Sequence, residues 1–254
     1  MADLSPLNLF LLVVAGVGSG FMNTLAAGGS LLTLPALMLL GLPADYANGT
    51  NRVSVLAQSI STVLGFHEAG KFEVKAASLL LAPTAVGAAG GSLLASSLPA
   101  DLLKPILLAA MVGMSLLMIL RPASFSPPAG VIPKTLRERP DAILWLFLLG
   151  FYAGFAQAGV GFLALLILGP ILRYDLLRAN ALKIFLSGVF GIVPLGIFLL
   201  AGKVLWAPGA ILAVATVVGS RLGVGYALKA DERAIRWVLL ACVLATVAAV
   251  IVKG

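Results

Sequence analysis

The sequence predicts an all-α polytopic membrane protein of about ten hydrophobic segments arranged as two inverted five-segment repeats. Three observations carry that prediction: a nearly continuous series of apolar runs, a duplication at one fixed offset, and loop charges that switch bias between the two copies. Of 254 residues, 61% are hydrophobic and only 11% are charged, and the mean hydropathy is +1.10. A soluble domain carries about 25% charged residues.

The apolar segments run over about 7–24, 28–41, 50–66, 76–98, 101–120, 141–157, 160–172, 178–200, 206–228 and 232–252. Most approach the roughly 20 residues that cross a hydrocarbon core of about 30 Å. The second and seventh are shorter and each follows a glycine-rich break, which predicts short broken helices at 28–41 and 160–172. The first run has no Lys or Arg ahead of it, unlike a cleaved signal, so it is expected to belong to the fold.

The stretch 121–140 holds five prolines, several serines and a basic cluster. Such a composition marks a linker. The chain therefore divides into a first transmembrane repeat, 1–120, a cytoplasmic Pro-rich linker, 121–140, and a second transmembrane repeat, 141–254. A shift of 132 positions superposes the halves without a gap over about 80 residues. Ala47-Asn48 meets Ala179-Asn180, Ala69-Gly70-Lys71 meets Ala201-Gly202-Lys203, and Gly87 and Gly91 meet Gly219 and Gly223. Leu and Ala matches come cheaply in this composition, whereas a shared Ala-Gly-Lys with Asn and Gly in register does not.

Loops after the odd-numbered segments collect most of the basic residues, among them Lys71, Arg137, Arg139, Arg173, Lys183 and Arg233. The other side has Arg52, Lys104, Lys203 and Lys253. The rich side is expected to be cytoplasmic, with both termini outside. Five crossings per half invert one repeat relative to the other. The alternative is a re-entrant hairpin of segments one and two, leaving eight true spans.

Several functional classes drop out. The net charge of +7 is scattered over short loops, with no basic stripe or aromatic platform, so no nucleic acid is expected as a partner. The single cysteine, Cys242, and single histidine, His67, rule out an intrachain disulfide, a cysteine-based metal cluster and bis-histidine haem ligation. No cofactor is expected. The run Gly16-Val17-Gly18-Ser19-Gly20 belongs to no βαβ unit and is no nucleotide fingerprint. Gly16/Gly20, Gly87/Gly91 and Gly219/Gly223 fit close helix packing instead. An intramembrane enzyme would lack a plausible set of catalytic groups.

The candidate site starts from Asn23-Thr24-Leu25-Ala26-Ala27-Gly28-Gly29-Ser30. Broken backbone at membrane depth must be buried in protein or line a watery cavity. A helix restarting at Gly28 would point N–H groups and its positive dipole end inward. The related break is Gln157-Ala158-Gly159-Val160-Gly161. Two short helices converging on an anion is one reading; close packing through small residues is the other. Thr50, Asn51 and Arg52 open the third segment, Gln58 follows, and Lys183 aligns with Asn51. The two cations could charge each mouth of a path, or could snorkel at the interface with Asn48 as a helix cap. Arg221 lies midway along an apolar segment, where an Arg is costly, and its repeat equivalent is Ala89. His67-Glu68, near Lys71 and Glu73, could relay protons or form a solvated cluster. The expected substrate shell is Asn23, Gly28, Gly29, Ser30, Thr50, Asn51, Arg52, Gln58, Gln157, Gly159, Gly161, Lys183 and Arg221.

These elements resemble the sulfite exporter TauE/SafE family of membrane permeases. The resemblance lies in Ala27-Gly28-Gly29-Ser30 running to Pro35, in Ala47-Asn48-Gly49-Thr50, in the Ala-Gly-Lys turns, and in Gly87 and Gly219. It covers essentially the whole chain, with Ser30 standing where the family usually has a third glycine. It implies export of sulfite, organosulfonates or related sulfur oxyanions across the bacterial inner membrane. The expectation is a secondary transporter working by alternating access. A channel-like pore, or a permease for another small organic anion, is the alternative. The expected partners are a small anionic substrate and the lipid bilayer, with a coupling ion (proton or sodium) and a homo-oligomer left open.

Overall fold

The structure is a computed structural model that describes residues 5–25, 29–68, 74–120, 131–227 and 229. Among these residues the chain forms nine α-helices and no strand. They are α1 (Pro6–Leu25), α2 (Ser30–Leu39), α3 (Ala44–Glu68), α4 (Val74–Ser97), α5 (Ala100–Leu120), α6 (Asp141–Phe155), α7 (Val160–Leu166), α8 (Leu176–Leu200) and α9 (Trp206–Ala227). A five-residue π-helical turn, Ile167–Ile171, continues α7 and contains Pro170. Proline lacks the N–H that an α-helical ladder needs, which favours such a local rearrangement. Segment 232–252, Gly28 and the first half of the linker, 121–130, lie outside the described residues.

Helix bounds follow the duplication. Ala44–Glu68 and Leu176–Leu200 match at the 132 offset, as do the starts of α4 and α9. The first helices differ: α1 ends at Leu25 and α6 at Phe155, an offset of 130. The gap-free register therefore holds from the third helix onward, while the first helix of each half is two residues out of step.

Two glycine-lined pairs frame the molecule. α1 lies on α9 and α4 lies on α6. A Cβ at Gly91 would stand 1.9 Å from the Phe151 carbonyl oxygen, and one at Gly154 2.1 Å from that of Ala88. At the other pair, a Cβ on Gly20 would meet the Thr216 oxygen at 2.1 Å and one on Gly219 the Val17 oxygen at 2.0 Å. Backbones this close need glycine, and dispersion over the large contact drives association where lipid offers no hydrophobic gain. This is the close packing that the paired glycines predict.

Between these pairs runs α3, against α2, α5, α8 and α9. It crosses α8 antiparallel: Gly49 faces Phe198, Leu56 faces Gly191, and Ser59 faces Gly188. Four described helices are long and apolar enough to span a membrane, within α1, α4, α8 and α9, so the protein is a multi-pass membrane protein. The 25-residue α3 is not among them, because it carries many polar residues, most of which are buried against its neighbours. It begins at Ala44, six residues before the apolar run predicted at 50–66. Asp45, Asn48 and Thr50 are buried within it, and hydropathy reads such residues as loop.

At the α3 start, Asp45 accepts from Lys203 at 2.9 Å, and Lys203 also donates to the Ser96 carbonyl at the end of α4. Elsewhere the Lys134 amide donates to the Leu172 carbonyl, tying the linker's end to the segment after α7.

Candidate functional site

Asn51 and Arg52, neighbours on α3, each hold one of the two breaks. The Thr33 hydroxyl donates to Asn51 Oδ1 at 2.7 Å, and Asn51 Nδ2 donates to Ser30 Oγ at 3.3 Å. Asn51 thus fixes the first turn of α2. Arg52 points the other way, fully buried, into the end of α6. Its guanidinium donates to the carbonyls of Ala153 at 2.7 Å and Gly154 at 2.8 Å, to Asn48 Oδ1 at 2.9 Å, and to Gln157 Oε1. Phe198 lies beneath it, 5.8 Å from Cζ to ring centroid. Asn48 completes the cap by donating to the Phe155 carbonyl at 2.8 Å. The last carbonyls of a helix are unsatisfied and carry its negative dipole end, so a cation is the matching partner.

The other break is held from α8. Asn180 Nδ2 donates to the Thr24 carbonyl at 2.7 Å and Lys183 Nζ to the Asn23 carbonyl at 2.8 Å, both at the end of α1. Lys183 is also fully buried. Each interrupted helix is therefore capped by a polar pair from the opposite half: Asn48 and Arg52 on α6, Asn180 and Lys183 on α1.

This corrects several expectations. Arg52 and Lys183 do not snorkel; they are fully buried in the interior, and the loop-charge comparison keeps its sign without them. Asn48 is one turn inside α3, not its cap. The helix after the first break restarts at Ser30, not Gly28. Gly29 has φ −50°, and it is needed because a Cβ would meet Ser19 Oγ at 2.6 Å. Gly159, at φ +70°, does take the left-handed conformation that glycine permits. Gln157 adopts it too, at φ +63°, where a side chain costs about 1 kcal/mol or more. Its side-chain amide oxygen, Oε1, accepts from Arg52.

Asn23, Ser30, Asn51, Arg52, Gln157 and Lys183 are thus joined in one region, with Gly29, Gly159 and the buried Gly161 in the same breaks. Gln58 is 2% exposed, and its Nε2 has no partner. Two candidates stand apart. Thr50 accepts from the Leu205 amide, before α9. Arg221, half exposed, donates to Ser61 Oγ at 3.1 Å and lies 3.7 Å from Glu68. His67 is exposed beside that pair, while Lys71 and Glu73 fall outside the described residues. The sequence reading missed Asn180, whose exact repeat match to Asn48 was the available signal. Among the described residues no group of His, Cys, Asp and Glu could hold a metal ion.

A helical membrane protein with a polar, cationic centre built around two interrupted helices belongs among the multi-pass membrane proteins that keep irregular backbone away from lipid. Within that class, the chain belongs to the sulfite exporter TauE/SafE family, whose family model matches residues 12–250. It is 30% identical over 242 residues to the probable membrane transporter protein ORF9 of a Sinorhizobium species, covering 94% of this chain and 91% of that one. It is 31% identical over 232 residues to the probable membrane transporter protein YfcA of Escherichia coli K12, covering 91% and 85%. A probable membrane transporter protein of Haemophilus influenzae is 27% identical over 232 residues, covering 90% and 88%. No solved structure matches the chain significantly.

Proposed function

We propose that this protein is a secondary transporter that exports small sulfur-containing anions, sulfite or organosulfonates, by alternating access. The observation that carries the reading is Arg52. It is a fully buried cation whose acceptors are backbone carbonyls and amide oxygens, all neutral. The buried acid among the described residues, Asp45, is engaged with Lys203. A buried charge with neutral partners leaves a positive field, and in a low-dielectric interior that field attracts an anion. On the Asn51 face of the same helix, the buried and unpartnered amide nitrogen of Gln58 suits a small oxyanion. The sulfur class rests on the family description.

Two inverted repeats are the arrangement that this reading uses. The antiparallel crossing of α3 and α8 supports it, as does the reciprocal capping of α1 and α6. In the inner membrane the basic linker side would face the cytoplasm and both termini the outside. The substrate shell would comprise Asn23, Gly28, Gly29, Ser30, Asn51, Gln58, Gln157, Gly159, Gly161 and Lys183, with Arg52 supplying charge from behind. The test is uptake of labelled sulfite and sulfoacetate by proteoliposomes holding the purified chain. Saturable uptake above empty vesicles is expected; none across a panel of oxyanions overturns the substrate class.

A further inference from the structure

The two seams that the duplication makes equivalent, α3 on α9 and α8 on α4, have opposite chemistry. On α3, Asn51, Ser54, Gln58, Ser61 and Glu68 recur at three- and four-residue steps and share one face. α9 answers them along its length. Thr216 Oγ1 donates to the Ser54 carbonyl at 3.3 Å, Ser220 Oγ to Ser61 Oγ at 3.3 Å, and Arg221 Nε to Ser61 at 3.1 Å. The seam ends at the Arg221–Glu68 pair, 3.7 Å apart and open to the outside. At the 132 offset Asn51 meets the polar Lys183 and Thr216 meets Thr84, but farther along the seam Ser54, Gln58, Ser61 and Glu68 become Leu186, Phe190, Val193 and Leu200, and Ser220 and Arg221 become Ala88 and Ala89. Leu186, Phe190 and Ala88 are fully buried in an apolar core.

Helix packing in a bilayer needs small or apolar residues, and the α4–α8 seam shows that this fold packs well with them. A polar seam has no packing advantage over its apolar counterpart. Gln58 sharpens the contrast. It is 2% exposed, and its amide nitrogen has no partner in the middle of the polar face. An unpaired buried donor costs about 1–3 kcal/mol and calls for a partner, a water or a ligand among them.

We propose that the α3–α9 seam is the passage by which the anion moves between the central breaks and one face of the membrane. Gln58 and Ser61 are its intermediate contacts, and Arg221 is the outer relay, held by Glu68 until the arriving anion takes the carboxylate's place. The α4–α8 seam is the sealed counterpart. This rests on the anion-transport reading, and it gives Arg221 a place outside the central shell.

The test uses the full chain with Cys242→Ala, reconstituted in liposomes, carrying Ser61→Cys, Gln58→Cys or Val193→Cys. Each is reacted with an anionic sulfonate thiosulfonate reagent and with its cationic analogue. Ser61→Cys and Gln58→Cys should react at least about tenfold faster than Val193→Cys, and sulfoacetate, which unlike sulfite does not consume the reagent, should slow them. Adding Arg221→Gln should lower the anionic-to-cationic rate ratio at Ser61→Cys about tenfold. Both seam cysteines reacting no faster than Val193→Cys would overturn the passage, whatever the flux. Fast, charge-selective reaction without sulfoacetate protection, and without sulfite or sulfoacetate flux, would uphold the passage and overturn the sulfur-oxyanion reading.

Discussion

Replacing Arg52 separates its two duties, closing the end of α6 and drawing an anion inward. Five acceptors converge on the guanidinium: the Ala153 and Gly154 carbonyls, Asn48, Gln157 and, at 3.4 Å, the Phe190 carbonyl. Interhelical hydrogen bonds inside membranes are worth roughly 0.6–1.7 kcal/mol each. Arg52→Gln keeps at most one or two of them and should cost about 2–3 kcal/mol. Arg52→Lys reaches fewer acceptors than Arg and should cost about 1–2 kcal/mol. The effects on transport diverge. A unit charge about 8 Å from a bound anion contributes on the order of 2 kcal/mol at an effective dielectric of about 20, or about thirtyfold in affinity. Arg52→Gln should raise the KM for sulfite about thirtyfold, and Arg52→Lys no more than about threefold. Thermal unfolding in detergent and initial uptake rates in proteoliposomes measure the two effects on the same preparations. Equal KM values for the Gln and Lys variants would refute the electrostatic argument, and an unchanged melting temperature in both would refute the capping role.

Three further outcomes follow from the packing. Gly91→Ala, forced against the Phe151 carbonyl, should lower stability by about 1–3 kcal/mol, while Gly196→Ala, with open space around it, should be neutral or gain up to about 1 kcal/mol; thermal melts distinguish them. Lys203→Met strands Asp45, which is 6% exposed and already has one unpartnered oxygen, at a cost of about 3 kcal/mol; adding Asp45→Asn should recover most of it in a double-mutant cycle. Asn180→Leu removes the donor to the Thr24 carbonyl and should cost about 1 kcal/mol, read as earlier unfolding and faster exchange of the α1 terminal amides.

The membrane class, the duplication and both breaks were legible in the sequence, because each is a local departure from a strong apolar background. Arg52 and Lys183 were legible as candidates for the same reason. Their partners were not. Arg52 meets Ala153 across 101 residues of sequence, and a carbonyl looks identical at every position. The first turn of α3 escaped notice because hydropathy assumes that polar means exposed, whereas Asp45, Asn48 and Thr50 face protein. Arg221 was legible as a cation within an apolar segment; its pairing with Glu68, across more than 150 residues of sequence, was not. The two-residue difference between the first helices was hidden because the register was anchored downstream.

The cross-capping of the interrupted helices also orders events during synthesis. Asn48 and Arg52 leave the ribosome about a hundred residues before the α6 carbonyls that they will bind, and α3 alone is too polar to be held by lipid. Its Ser54 carbonyl and Ser61 hydroxyl meet Thr216 and Ser220 later still. Until α6, α8 and α9 arrive, α3 has no stable residence in the hydrocarbon. The helix at the centre of the finished molecule is thus an early-made segment that must wait for late-made neighbours. Truncations ending before α6 should leave it accessible from water, with α1 and α4 already inserted.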